Sequence, residues 1–162
     1  MASRNTAIHR GFMREAISLS LKNVRDNKGG PFAALIVKDN AIISRGINLV
    51  TSEHDPTAHA EIVAIRRACA HLKTFRLDDC VIYTTCEPCP MCLGAIYWAR
   101  LEMIYYANSR ADAARIGFDD KLIYQQFPLP ISRRKIPAVR LMHNEALAAF
   151  RVWEEDENKI IY

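Results

Sequence analysis

Apolar positions Ile8, Phe12, Ala16 and Leu19 share one helical face, predicting an opening amphipathic helix that ends near Asp26 to Gly30. After Pro31 the runs Phe32 to Lys38 and Ala41 to Asn48, joined by Asp39-Asn40, read as a β-hairpin. A second helical stripe follows at Ile62, Ile65, Ala68, Cys69 and Leu72. Asp55-Pro56-Thr57 marks its start, with Thr57 as the expected N-cap. Cys80 to Thr84 and Met103 to Ala107 read as short apolar strands, and a further helix begins between them at Pro90, where proline gives up no hydrogen bond. Gln125 to Ala138 is proline-rich and predicts a long irregular loop. Ala138 to Met142 is expected to form a last strand and Glu145 to Trp153 a helix. Strands alternating with helices predict an α/β fold whose sheet contains parallel pairs and carries helices on both faces. Ligands in such sheets bind beyond strand ends, where helices begin.

The candidate chemistry falls at those places. His59-Ala60-Glu61 is followed by Pro88-Cys89-Pro90-Met91-Cys92, which supplies three zinc donors and one carboxylate outside the ligand set. Catalytic zinc keeps three protein ligands and leaves a fourth position to water, so His59, Cys89 and Cys92 suit an open site. Two thiolates cancel the charge of Zn²⁺ and acidify a bound water less than three imidazoles would, so a neighbouring base is needed. Glu61 is the candidate. An H-x-E paired with P-C-x-x-C is the signature of zinc-dependent nucleobase deaminases. Two helix N-termini aimed at one point would favour the thiolate form of both cysteines.

Other readings of these residues are weaker. A closed structural zinc needs a fourth ligand, for which Cys86 is the main rival among Cys80, His54, His71 and His143. Cys86, Cys89 and Cys92 resemble the start of an iron–sulfur run, but the expected next cysteine falls at Ile96. Cys69 and Cys80 lie in apolar patterns and read as small buried hydrophobes. His9, His71 and His143 have no partner motif, and Gly29-Gly30 lacks the rest of a phosphate loop and reads as a turn.

The 162 residues fit one domain, 1–162, able to bury a core without disulfides. Half the residues are apolar and a quarter charged, without repeats or low-complexity tracts. The N-terminus has no secretory core and no apolar run is long enough to span a bilayer, so a cytoplasmic protein without membrane partners is expected. Five cysteines, three of them at metal spacing, agree with a reducing compartment. A net charge of +4 is mild, and Arg133-Arg134-Lys135 reads as a solvated loop, so nucleic acid is not the expected partner. The acidic run Glu154 to Glu157 is a solvated helix end. The apolar ending Ile160-Ile161-Tyr162 is expected to dock into a groove of this subunit or of a neighbour.

The motif and its flanks resemble the cytidine deaminase-like superfamily and, within it, the bacterial guanine deaminases. Thr51 to Glu61, Thr85 to Arg100 and Ala114 to Asp120 carry the resemblance, which extends from the Gly29-Gly30-Pro31-Phe32 turn to Tyr162. It implies a three-layer α/β/α sandwich with a central five-stranded mixed sheet, one Zn²⁺ per subunit, and hydrolysis of guanine to xanthine and ammonia. It further implies a homodimer in which a C-terminal segment, about 143–162, is exchanged. Carried over by position, Asn48, Phe32 and Ala60 would bind the purine. Asp120 and Tyr162 would join Glu61 as catalytic residues, Tyr162 arriving from the partner subunit.

Overall fold

The computed structural model describes residues 2–161, with side chains from residue 6 onward. The chain forms two compact units, residues 1–120 and 121–162. The first contains α1 (Ala2–Arg25), β1 (Ala33–Lys38), β2 (Ala41–Ile47), α2 (Val50–Glu53), α3 (Ala60–Leu72), β3 (Cys80–Cys86), α4 (Pro90–Trp98), β4 (Met103–Asn108) and α5 (Arg110–Arg115). Its sheet has the order β2-β1-β3-β4, with β1 antiparallel to β2 and β3, and β4 parallel to β3.

The hairpin forms where Asp39-Asn40 predicts it. Both residues have positive φ, 51° and 60°, which these side chains tolerate and which suits the twist of the joined strands. Residues of β1 alternate between two buried faces, so the strand reads as one continuous apolar run. Leu35 and Val37 pack with Tyr83 and Ala16 under α1. Ala34 and Ile36 pack with Ile82 against α3 and α4. The result is three layers, with the sheet between α1 and the α3–α4 pair. Ala60, Ala64 and Ala68 of α3 are fully buried, and their small side chains bring the helix backbone close to the sheet. Ser44 Oγ donates to the Ala64 carbonyl at 2.7 Å, which fixes α3 over β2.

Three expectations need correction. The described residues form a four-stranded sheet, not a five-stranded one. Ala138 to Met142 forms no strand, because a strand needs a neighbour for its N–H and C=O groups, and Val139 and Leu141 stand 88% and 80% exposed. Thr57 is not the N-cap of α3. His59 takes that position, while the Asp55 carboxylate accepts both the N–H and the hydroxyl of Thr57 in a tight local turn. Helices α2 and α5 were not legible from periodicity, being too short to show one.

The second unit contains α6 (Lys121–Gln126), a 3-10 turn at Ile131–Arg133 and α7 (His143–Glu155), none of which has a buried residue. Among the described residues no helix is long and apolar enough to cross a membrane.

Candidate active site

Two helix starts converge on one point. His59 caps α3 and Cys89 caps α4, both with extended backbone, and neither side chain makes a capping hydrogen bond. Their donor atoms are turned to each other instead. Cys92, in the first turn of α4 behind Pro90, is fully buried. His59 Nδ1 lies 3.6 Å from Cys89 Sγ and 3.5 Å from Cys92 Sγ, and the three donors fall within 4.8 Å of one another. Tetrahedral zinc with ordinary Zn–S and Zn–N bonds requires nitrogen–sulfur separations of about 3.6 Å. Both nitrogen–sulfur separations therefore match those of a zinc site.

Charge at this point follows from the same geometry. The Cys92 thiol, whose one proton faces both Cys89 and Glu61, holds Cys89 down at about 4 by a hydrogen bond, assisted by His59. That shared hydrogen bond, followed by burial, pushes Cys92 up, while the bond to Cys89 raises His59. A divalent cation supplies to both sulfurs the positive charge that one shared proton gives only in part. Cys86 is not a fourth ligand. Its thiol points to the Ser109 carbonyl, 3.6 Å away, and burial pushes it up to about 11. Among the described residues the cluster has three donors, as an open site requires.

Glu61, second in α3, stands beside the cluster and is 6% exposed. Its Oε1 accepts from the Thr84 hydroxyl at 3.2 Å, and its Oε2 accepts from Cys92 Sγ at 3.5 Å. Burial raises its carboxyl above the ordinary value, the shift expected of a group that must take up and release a proton.

Asn48 is buried behind the Gly29-Gly30 turn, its Oδ1 accepting from the N–H groups of Gly30 and Val50 at 3.3 and 3.4 Å. Phe32 meets Phe118 edge to face, with ring centroids 4.9 Å apart. Ala60 is fully buried and stands between His59 and Glu61. Asp120 pairs with Arg110 at 3.5 Å; partial burial raises its carboxyl despite that cation. Tyr162 lies outside the described residues.

Sequence reasoning assigned no role to Thr84 or Phe118. Thr84-Thr85 at the end of an otherwise apolar strand was the available signal, since both are buried: Thr84 donates to Glu61, and Thr85 Oγ1 accepts from the Ala33 N–H at 3.0 Å. Phe118 gave no comparable signal, because its contact with Phe32 joins residues far apart in the chain.

Residues 6–108 match the cytidine and deoxycytidylate deaminase zinc-binding region. Over 154 residues the chain is 50% identical to guanine deaminase of Bacillus subtilis, an alignment covering 95% of this chain and 99% of the other. The chain belongs to the guanine deaminase family. The X-ray structure of the Bacillus subtilis guanine deaminase superposes on this deaminase with a TM-score of 0.92, covering 95% of this chain and 98% of the other. A tRNA-specific adenosine deaminase of Aquifex aeolicus is 46% identical over 77 residues, covering 48% of this deaminase and 51% of the other. That likeness is confined to a part of each chain.

Proposed function

We propose that this deaminase hydrolyses guanine to xanthine and ammonia. The observation that carries the reading is a buried, non-ligating carboxylate, Glu61, set against a three-donor zinc cluster. When bound by His59, Cys89 and Cys92, zinc supplies a Lewis acid that makes water a competent nucleophile near neutral pH.

Glu61 takes a proton from the attacking water and delivers it to a ring nitrogen of the purine, which makes C2 electrophilic. Oxygen adds to C2, giving a tetrahedral carbon that still carries the amino group. The C2 hydroxyl then returns its proton to Glu61 as the C2 carbonyl of xanthine forms, the amino group takes up a proton, and the C2–N bond breaks to release ammonia; the proton left on Glu61 replaces the one given to the amine. Asp120, whose carboxyl partial burial raises despite Arg110, would take part in delivering the amine's proton, as the family resemblance implies. Tyr162 of the partner subunit would share the step, as the family resemblance implies. Asn48 and the Phe32 ring would hold the base. The backbone N–H of Ala60 is one of the first N–H groups of α3, which have no partner within the helix, and it suits a purine acceptor.

Exchange of C-terminal segments in a homodimer is part of the same proposal. Ile136, Val139 and Leu141 stand at least 80% exposed, a stretch of apolar surface that a second subunit would cover. The cysteines of the described residues are all free, which suits a cytoplasmic setting.

Ammonia release by the zinc-loaded protein tests the reaction, with guanine, adenine, cytidine, cytosine and a tRNA offered side by side. Preferential release from guanine is expected. Release only from another substrate would retain the chemistry and overturn the substrate assignment.

A further inference from the structure

Asn23, near the end of α1, is 1% exposed and belongs to none of the groups discussed above. Its Nδ2 donates at 2.9 Å to the Gly30 carbonyl and at 2.9 Å to the Asn48 carbonyl. Both neighbours are acceptors, so the orientation of the amide is fixed by chemistry. Its Oδ1 is buried and has no hydrogen-bond partner among the described residues. Burying an unpaired oxygen opposes folding, and an apolar side chain of similar size would avoid that cost. The value of asparagine here lies in its two donors.

Those donors act where the chain has no slack. A β-carbon on Gly29 would stand 2.2 Å from the Asn48 carbonyl oxygen, so the turn and residue 48 touch backbone to backbone. On the far side of that contact the Asn48 Oδ1 accepts from the N–H groups of Gly30 and Val50, which leaves its Nδ2 as the group able to donate elsewhere. We infer that Asn23 is a positioning residue for purine recognition: by tying the Gly30 and Asn48 carbonyls together, it holds the Asn48 amide with Oδ1 inward and Nδ2 available as a donor. A donor there favours a purine with an acceptor, such as a ring nitrogen or a carbonyl oxygen, at the facing position. The assignment presupposes Asn48 as the purine-binding amide, as proposed above.

Steady-state kinetics on the zinc-loaded full chain test it, with Asn23→Ala, Asn48→Ala, the double variant and Ala16→Gly as a packing control. Ala16 lies on α1 in the core cluster with Leu35 and Tyr83, and none of the hydrogen bonds described at the turn involves it. Asn23→Ala is expected to raise KM for guanine about tenfold, the scale of one lost hydrogen bond, with kcat within about threefold. The double variant should be no worse than Asn48→Ala alone, because the first residue acts through the second. Ala16→Gly should lower Tm and leave KM unchanged. Asn23→Ser retains one donor and gives an intermediate KM; it also serves if Asn23→Ala does not fold. An unchanged KM in the Asn23 variants, a KM rise matched by Ala16→Gly at equal Tm, or multiplicative effects in the double variant would overturn the inference. An Asn48→Ala enzyme with unaltered KM would instead overturn the substrate reading on which it stands.

Discussion

A β-carbon placed on Gly46 would come within 2.0 Å of the carbonyl oxygen of Ala60, so β2 and the first turn of α3 meet with no room for a side chain. That turn holds His59 on one side of Ala60 and Glu61 on the other. Gly46→Ala must therefore push α3 away from the sheet. It is expected to destabilise the protein by about 2–3 kcal/mol, as overpacking does, and to weaken zinc binding. Denaturant unfolding and zinc content by elemental analysis check both; unchanged zinc affinity would mean that α3 moves as a unit with α4.

Glu61→Gln preserves the shape of the side chain and removes its capacity to accept a proton. Zinc stoichiometry should be retained while kcat/KM for guanine falls by about 10²–10⁴-fold. Substantial turnover in the zinc-loaded variant would remove Glu61 from the proton path.

Thr84→Val removes the hydroxyl that donates to Glu61 Oε1. A carboxylate that loses a donor is harder to ionise, so the carboxyl, already raised by burial, rises further. Glu61, the proposed base, is then deprotonated only at higher pH. The acid limb of the kcat/KM profile should move to higher pH in the variant, and a coincident limb would show that Thr84 does not tune this group.

Removal of zinc should abolish ammonia release and lower Tm, with both restored by Zn²⁺. A ligand that binds only the folded state at about 100 times its Kd contributes about 2.7 kcal/mol. Calorimetry across zinc concentrations measures the shift; a Tm independent of zinc would place the metal outside the folded core.

Tyr83 is pushed up to about 12 by burial and then by Tyr105, and its hydroxyl meets His9 Nδ1. A tyrosine whose folded value exceeds its unfolded value of 10.0 contributes stability below that pH. The contribution is lost progressively as pH rises from about 10 to about 12. Tyr83→Phe should lessen the fall in stability over that window, as read by urea unfolding at stepped alkaline pH. An identical decline in both proteins would assign the loss to other groups.

The local elements were legible because each leaves a local signal. The stripe at Ile62, Ile65, Ala68, Cys69 and Leu72 lies in α3, Asp39-Asn40 makes the hairpin turn, and Pro90 opens α4. Helix α7 spans the expected Glu145 to Trp153 and extends to His143–Glu155. The start of α3 was misread because Thr57 looks like a cap, while a local turn at Asp55 occupies it and leaves His59 in the capping position. Ala138 to Met142 has a strand's composition, yet composition cannot supply the neighbouring edge that pairing requires.

The sequence by itself determined the zinc donors and the carboxylate beside them, because metal chemistry demands particular side chains at short spacing, and those are written in the chain. Only the tertiary structure decided what surrounds them. Thr84 reaches Glu61 across 23 residues and Asn23 reaches the Asn48 carbonyl across 25. Arg110 faces Asp120 and Phe118 meets Phe32 through folding alone. Such partners leave no periodicity, since a hydrogen bond or ring contact needs only proximity, and proximity between distant residues is created by packing helices onto a sheet.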